Sequence, residues 1–185
     1  ASRGLGDVYK RQLIDYICNS MDTHMAQTWK DEDISLDTIK DQTIAVIGYG
    51  IQGDAQANNM KDSGLNVIVG LKEGGTSWQK AKDDGHEVLS VSDATKKADI
   101  IHILIPDMVQ AKVYKEEIAP YLSEGKALSF SHAAAIYWKW IDAPENVDLI
   151  MIAPKGPGSK VRETYQQNFG TPSIVAVEQD KTGKA

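Results

Sequence analysis

The sequence predicts an α/β fold, a doubly wound and mostly parallel β-sheet with helices on both faces. From Thr43 onward, apolar runs of strand length alternate with longer polar and apolar segments of helical length. A glycine-rich turn joins the first of these runs to the first of these segments. A chain of 185 residues suits one domain with a sizeable core. We therefore expect one domain over residues 25–185.

The first 24 residues differ in character from the rest. The segment from Asp7 to Gln12 looks like the in-frame translation of a transposon adapter used for sequencing libraries. We expect residues 1–24 to be a non-native, disordered leader, with Met25 as the true start and Met21 as the alternative. A genuine N-terminal extension is the other interpretation.

Each predicted element follows from this alternation. Strands are predicted at residues 43–47, 66–71, 100–105, 127–130, 149–153 and 173–177. Helices are predicted between and after them, at 51–63, 77–84, 92–97, 109–119, 134–141 and 159–168. In a parallel sheet of this kind, ligands bind beyond the carboxyl ends of the strands. The segment after each strand is therefore where functional residues are expected.

The turn after the first strand reads Gly48-Tyr49-Gly50-Ile51-Gln52-Gly53 and matches the G-x-G-x-x-G pattern of a Rossmann dinucleotide site. Gly48 permits the tight turn, Gly50 lets the backbone approach a pyrophosphate, and Gly53 lets the helix pack closely on the strand. The helix N-terminus then presents N–H groups to the phosphates. The pattern predicts NAD(H) or NADP(H); a tight turn without a ligand is the alternative.

The segment after the second strand lies about 20 residues past the glycine turn, where the adenosine ribose is expected. Lys72, Thr76 and Ser77 favour NADP, because they suit a 2′-phosphate. Glu73 favours NAD instead, because a carboxylate accepts hydrogen bonds from free ribose hydroxyls. The non-functional alternative is a solvated loop in which Thr76 or Ser77 caps the following helix.

Three later segments supply further candidates. Asp107 follows the third predicted strand, where it either contacts the cofactor or caps the next helix. His132 follows the fourth, where it can exchange protons or polarise a substrate oxygen, unless it is structural. Lys155 lies between prolines and glycines after the fifth, where it can face an anionic ligand or simply belong to a turn.

The other histidines are weaker candidates. His102 lies within an apolar strand and is expected to be structural, while His24 and His86 show no accompanying pattern.

Composition excludes several functional classes. The formal net charge is −6 and the lysines are scattered, so no nucleic-acid surface is expected. Cys18 is the only cysteine, which excludes a disulfide framework and a cysteine-based metal site. No apolar run approaches the ~20 residues that span a bilayer. We expect a cytoplasmic protein with a small-molecule substrate and no membrane partner.

Six segments taken together resemble one family. From about Met25 to the last residue, the chain is similar to the N-terminal domain of ketol-acid reductoisomerase (acetohydroxy acid isomeroreductase). The segments are GYGIQG, GLKEGGTSW, LIPDMVQ, SFSHAAAIYW, DLIMIAPKGPG and AVEQDKTGKA. The glycine turn alone does not distinguish one dehydrogenase family from another. The APKGPG segment and His132 before it, however, occur together in this family.

The resemblance implies an enzyme of valine and isoleucine biosynthesis that is a homo-oligomer when complete. It implies conversion of 2-acetolactate or 2-aceto-2-hydroxybutyrate to 2,3-dihydroxy acids by Mg²⁺-dependent alkyl migration and reduction by NADPH. The implied site residues are Tyr49 to Gln52 around the pyrophosphate, Lys72 and Ser77 at the 2′-phosphate, Asp107, Met108, Val109, Gln110 and Gly158 along the cofactor, His132 as the active-site histidine and Lys155 beside the site.

Some positions depart from the family pattern. Ile51 stands where a small polar residue is usual, Gly75 replaces a common serine, and Ala133 to Ala135 stand where glycine, phenylalanine and asparagine are frequent. The family's helical domain, with the acidic Mg²⁺ ligands, is expected just after Ala185, so we expect the chain alone to bind cofactor without turnover and to hold no metal. The alternatives are another NADP-dependent hydroxy-acid dehydrogenase and a non-catalytic nucleotide-sensing module.

Overall fold

The computed structural model describes residues 27–30 and 33–185. The predicted leader, both candidate start methionines and His24 lie outside the described residues. The chain divides into two units, residues 1–35 and 36–185. In the first unit, Trp29 and Ile34 are exposed, and the Lys30 N–H donates to Asp33 Oδ2 at 2.8 Å. The second unit contains all the elements that follow.

Its centre is a seven-stranded sheet in the order β3-β2-β1-β4-β5-β6-β7. Strands β1 to β6 are parallel, and β7 runs antiparallel to β6. The strands are β1 Thr43–Ile47, β2 Asn66–Gly70, β3 Glu87–Leu89, β4 Ile100–Ile103, β5 Ala127–Phe130, β6 Asp148–Pro154 and β7 Ser173–Gln179. The reversal of strand order on either side of β1 is typical of a doubly wound fold.

In the part of the chain that the structure describes, six α-helices accompany the sheet. They are α1 Ile51–Asp62, α2 Thr76–Asp83, α3 Val91–Lys97, α4 Asp107–Val113, α5 Ala134–Tyr137 and α6 Gly158–Gln166. A short 3-10 helix, Leu36–Thr38, precedes β1, and α4 continues through a π-helical turn, Tyr114–Ile118, into a 3-10 turn, Ala119–Tyr121. None of the helices in the described part of the chain is long and apolar enough to cross a membrane.

Apolar side chains fill both faces of the sheet, because successive side chains of a strand point to opposite faces. On one face, Ala45 and Ile47 belong to a core cluster that includes Val91 of α3 and Ile118 of the π-helical turn. On the other face, Val46 belongs to a cluster with residues of α1 and α2, Ala57 and Ala81. The predicted mostly parallel sheet with helices on both faces is confirmed.

The structure corrects several predicted boundaries. Strand β3 was not predicted, since only three residues pair and the first is the charged Glu87. Strand β4 ends at Ile103, and α4 begins two residues earlier than predicted, at Asp107. The predicted helix over residues 134–141 stops at Tyr137, because the backbone turns left-handed at Lys139, with φ of 54°.

Candidate functional site

The glycine turn between β1 and α1 has the geometry that its sequence predicts. Gly48 has φ of 101°, in the left-handed region, and its N–H donates to Gly70 O at 3.1 Å. A Cβ on Gly53 would lie 2.2 Å from the Gly48 carbonyl oxygen. These two glycines are therefore required by the backbone itself, whether or not a ligand binds.

Gly50 differs, because no described heavy atom lies within 4 Å of the position where its Cβ would stand. Gly50 is also the N-cap of α1, and no side chain caps this helix. The first turn of an α-helix has N–H groups without intrahelical partners, and these favour an anion. Open space and an uncapped helix N-terminus therefore coincide at Gly50.

A second helix begins beside this turn. Gly158, the first residue of α6, lies so close to α1 that its Cβ would be 2.2 Å from the Ile51 carbonyl oxygen. Gln52 Nε2 also donates to Gly156 O at 3.0 Å. The N-termini of α1 and α6 therefore adjoin, and both helix dipoles favour negative charge at this point. The Ile51 side chain is 73% exposed.

The Tyr49 side chain is buried. Its hydroxyl donates to Asp84 Oδ2 at 2.8 Å and accepts from Asn58 Nδ2 at 2.8 Å. Burial, reinforced by the hydrogen bond to Asp84, raises the pKa of Tyr49. Only the Tyr49 backbone is thus placed for a pyrophosphate, while its side chain fixes the turn to α1 and to the end of α2.

His86 belongs to the same cluster, although the sequence showed no pattern around it. Its ring packs edge-on against Tyr49, with centroids 5.5 Å apart, and its Nε2 lies 3.2 Å from Asn58 Oδ1. Lys80 completes the cluster through ion pairs with Asp54 and Asp84, at 2.9 and 2.7 Å. The sequence interpretation of His86 as isolated is therefore wrong, since its contacts with Asn58 and Tyr49 join residues 28 or more positions apart.

The loop after β2 leaves its charged side chains in solvent. Lys72, Glu73 and Thr76 are exposed, and Ser77 is half-buried. Helix α2 begins at Thr76 with Gly75 as N-cap, and no side chain caps it. The alternative in which Thr76 or Ser77 caps this helix is wrong. The loop turns through a hydrogen bond from the Gly75 N–H to Lys72 O at 3.1 Å.

His132 and Asp107 meet across the carboxyl ends of β4 and β5. His132 Nδ1 lies 3.6 Å from Asp107 Oδ2, and the two side chains are 69% and 43% exposed. Asp107 is not the N-cap of α4, because Pro106 takes that position, and its Oδ1 instead accepts from Gln110 Nε2 at 3.1 Å. The capping interpretation of Asp107 is therefore wrong.

An open cleft of about 180 Å³ lies beside this pair. It brings together residues from the glycine turn, the segments after β4 and β5, and the end of β6. The lining residues are Gln52, Ile103, Leu104, Ile105, Asp107, Gln110, Ser131, His132 and Pro154. Lys155 directly follows Pro154 and is exposed, and its N–H donates to Pro172 O at 2.8 Å.

Gln110 carries an orphaned acceptor in the wall of this cleft. It is only 4% exposed, and its Nε2 donates to Ile105 O at 2.9 Å. Among the described residues, its Oε1 is buried without a hydrogen-bond partner. An unpaired buried acceptor costs about 1–3 kcal/mol, so a ligand N–H or O–H that reached it would recover part of that cost. The neighbouring Met108 and Val109 are exposed.

His102 is an interior residue, as its apolar strand predicted. Burial lowers its pKa to about 4, and its ring lies within hydrogen-bond distance of Ser129 and Gln56. Gln56 and Ser131 were not predicted as site residues. The available signal for Gln56 was its position four residues after Gln52, on the same face of α1.

No group of three or more His, Cys, Asp or Glu side chains that could hold a metal ion occurs among residues 27–30 and 33–185.

Known proteins are similar to this chain in sequence and fold. The family model described as acetohydroxy acid isomeroreductase, NADPH-binding domain, matches residues 38–185. A ketol-acid reductoisomerase (NADP(+)) from Nitrosopumilus maritimus is 86% identical over 161 residues, which are 87% of this chain and 48% of that protein. The chain thus spans about half the length of the curated relatives it matches.

Solved structures agree with these matches. A structure titled as an NADH-preferring ketol-acid reductoisomerase from an uncultured archaeon is 52% identical, with a TM-score of 0.82 over 84% of this chain and 48% of that chain. A 3-hydroxyisobutyrate dehydrogenase from Mycobacterium tuberculosis has a TM-score of 0.57 over 76% of this chain and 47% of that chain, at 16% identity, which shows a shared fold alone. Because the family model matches well over half of the chain, the chain belongs to the acetohydroxy acid isomeroreductase (ketol-acid reductoisomerase) family and contains its NADPH-binding domain.

Proposed function

We propose that this chain is the cofactor-binding part of an enzyme that converts 2-acetolactate or 2-aceto-2-hydroxybutyrate to 2,3-dihydroxy acids in valine and isoleucine biosynthesis. The observation that carries the proposal is the single cleft shared by the glycine turn, the Asp107–Gln110 segment and His132. The family match favours this function over that of another hydroxy-acid dehydrogenase.

The residues present fit a dinucleotide. Two adjoining helix N-termini and the open space at Gly50 suit a pyrophosphate, and the orphaned Gln110 acceptor suits a ligand with N–H or O–H donors. The residues that would hold the cofactor are Gly48, Tyr49, Gly50, Ile51, Gln52, Gly53, Lys72, Thr76, Ser77, Asp107, Met108, Val109, Gln110 and Gly158. When bound, the cofactor supplies the hydride for the reduction.

NADP(H) is the proposed cofactor, with NAD(H) as the weaker ligand. Lys72 and Ser77 stand at the loop where a 2′-phosphate is expected, which favours NADP(H). Glu73 favours NAD(H) instead. The two relatives named above also differ in cofactor: one is named for NADP(+), and the other is titled as NADH-preferring. The exposed Lys72 and Glu73 are therefore the residues on which the preference depends.

His132 is the proposed proton-handling residue. It lines the cleft with its ring largely exposed, and its Nδ1 lies 3.6 Å from Asp107 Oδ2. A histidine so placed holds or gives a proton at a substrate oxygen. Lys155, next to the cleft residue Pro154, places a positive charge where an anionic substrate carboxylate would approach.

The described residues include no group of acidic, histidine or cysteine side chains that could hold Mg²⁺. We propose that its carboxylate ligands lie in a further part of the complete enzyme, outside this chain. The same proposal describes the complete enzyme as a cytoplasmic homo-oligomer that needs neither nucleic acid nor membrane.

The test combines binding with turnover. The purified chain is titrated with NADPH and NADH, and then assayed with acetolactate, Mg²⁺ and NADPH. We expect saturable NADPH binding without turnover. In the complete enzyme, His132→Gln should reduce kcat by about 100-fold or more. A folded chain that binds neither nucleotide would refute the proposal, and binding without any turnover in the complete protein would identify a nucleotide-sensing module instead.

A further inference from the structure

Gln56 joins three segments that meet at the ligand-facing edge of the sheet. Its Nε2 donates to Gln52 Oε1 at 3.0 Å and to Ser131 Oγ at 3.2 Å. Gln52 Nε2 donates in turn to Gly156 O at 3.0 Å. The side-chain amides of Gln56 and Gln52 therefore connect the glycine turn, the segment that carries His132 and the loop after β6.

His102 holds this amide from within the sheet. Its Nε2 lies 2.9 Å from Gln56 Oε1, and its Nδ1 lies 2.8 Å from Ser129 Oγ on β5. His102 is 5% exposed, and Ser129 is likewise buried. Because burial lowers the pKa of His102 to about 4, the ring is neutral at neutral pH and carries one N–H.

The hydrogen bonds of this network have a single consistent direction. Gln56 uses its amide N–H groups on Gln52 and Ser131, so its Oε1 is the acceptor. His102 must then donate from Nε2, and its Nδ1 accepts from the Ser129 hydroxyl. Each polar atom of the His102 ring and of the Gln56 amide thereby has a partner, which makes a buried network rigid.

Within the described residues, the polar contacts of the His132 ring are all long. Its Nδ1 lies 3.6 Å from Asp107 Oδ2 and 3.4 Å from the Ala134 N–H. The position of the His132 ring therefore depends on its backbone, and the adjacent Ser131 is held by Gln56.

We infer that His102 and Gln56 are positioning residues, which hold the His132 segment and the Gly156 loop against the glycine turn. The inference rests on the proposed function, since it assigns these residues to the geometry of the cofactor cleft. Neither residue needs to contact the cofactor, because both act through Gln52, Ser131 and Gly156. A supporting shell of this kind keeps site residues in productive geometry.

Two variants of His102 separate positioning from packing. In His102→Gln, the amide nitrogen takes the place of Nε2 and still donates to Gln56. In His102→Asn, the amide nitrogen takes the place of Nδ1, so the bond to Gln56 is lost. Ser131→Ala removes the other end of the network from a half-buried segment. Ser63→Ala is its matched control, because Ser63 is also half-buried and its hydroxyl bonds, among the described residues, only to Tyr165 Oη, at 2.8 Å.

The readouts are the Kd for NADPH, from fluorescence titration of the whole chain, and the hydrogen-exchange rates of the His132 and Gly156 amides. We expect His102→Asn and Ser131→Ala to weaken binding about tenfold and to speed exchange at both amides. His102→Gln and Ser63→Ala should stay within a factor of about 3 of the unchanged chain.

Three outcomes would overturn the inference. Equal affinities and exchange rates in Ser131→Ala and the unchanged chain would show that the network positions nothing, and this variant decides the matter if His102→Asn does not fold. Equal losses in folded His102→Gln and His102→Asn would show that packing alone matters. If the unchanged chain binds neither NADPH nor NADH, the proposed function fails and the inference fails with it.

Discussion

Gly158 lies so close to Ile51 that a Cβ on Gly158 would stand 2.2 Å from the Ile51 carbonyl oxygen. Since these are the first residues of α6 and α1, the contact brings two helix N-termini together. Like ends of two helix dipoles repel each other, so an anion bound between them removes an unfavourable interaction. The close approach thus ties the loop after β6 to the site proposed for the pyrophosphate.

Gly158→Ala should destabilise the fold. The added methyl group would overlap backbone atoms of Ile51, which cannot rotate away as a side chain can. We expect the free energy of unfolding to fall by about 2–3 kcal/mol, measured by urea denaturation. Gly170→Ala is the control, because no described heavy atom lies within 4 Å of its Cβ position. Equal stabilities of these two variants would contradict the packing role.

Gly50→Ala should separate binding from stability. Its backbone φ of −81° suits any residue, and the space for a methyl group is open. We expect the free energy of unfolding to change by no more than about 1 kcal/mol. The Kd for NADPH should nevertheless rise at least about tenfold, because the methyl group would stand where the pyrophosphate approaches. Unchanged affinity in a fluorescence titration would show that no phosphate lies there.

The fold was largely predictable because most strands are short apolar runs bounded by turn residues. Strand β1 was predicted to the residue, and so was β5. The antiparallel direction of β7 was not predicted, since the alternation of apolar residues carries no information about strand direction. The short β3 was missed because three residues are too few to show a period.

The site was predictable only where its residues follow strands directly. The structure brings His132, Asp107 and Gln52 to one cleft because parallel strands end at the same edge. The hydrogen bond between His102 and Gln56 could not be predicted, because these residues are 46 positions apart and meet through strand order and helix rotation. The glycine motif did not predict the burial of the Tyr49 side chain for the same reason, since its partner Asp84 is 35 positions away.

Lys139→Gly should stabilise the chain. Lys139 has φ of 54°, a conformation that costs a residue with a Cβ roughly 1–2 kcal/mol and that glycine adopts freely. Part of the gain is offset by the greater freedom of glycine in the unfolded chain. We expect a net increase of about 0.5–1 kcal/mol in the free energy of unfolding. Asn168→Gly should gain less, because asparagine tolerates its similar φ of 55°; equal gains would count against this explanation.

Lys72 and Glu73 should set the cofactor preference in opposite directions. Both are exposed on the loop after β2, so a change of either charge should leave the fold intact. We expect Lys72→Met to raise the Kd for NADPH about fivefold more than the Kd for NADH. Glu73→Gln should shift the ratio of the two Kd values toward NADPH. Because the side chains are exposed, the Lys72 effect should shrink at high salt; a salt-independent ratio would argue against a 2′-phosphate contact.

Acid should destabilise the chain through its two buried histidines. Burial lowers the pKa of His102 from 6.5 to about 4 and also lowers the pKa of His86. Between the folded and unfolded pKa of each histidine, the unfolded chain therefore binds more protons than the folded chain. The contribution of these histidines to the free energy of unfolding is present in full above about pH 6.5. As the pH falls from 6.5 to 4, His102 alone should remove up to about 3 kcal/mol from the free energy of unfolding.

The carboxyl groups of Asp84 and Asp148 should act in a lower range. Their pKa values are depressed below 3.8, Asp84 mainly by Lys80, and Asp148 by hydrogen bonds from Thr182 and Lys181 that outweigh its burial. Urea denaturation at intervals between pH 4 and 7 therefore measures chiefly the histidines. In His102→Gln the slope of the free energy of unfolding against pH should become smaller, and the part of it that is due to His86 should remain. The same slope in this variant and the unchanged chain would show that His102 does not titrate on unfolding in this range.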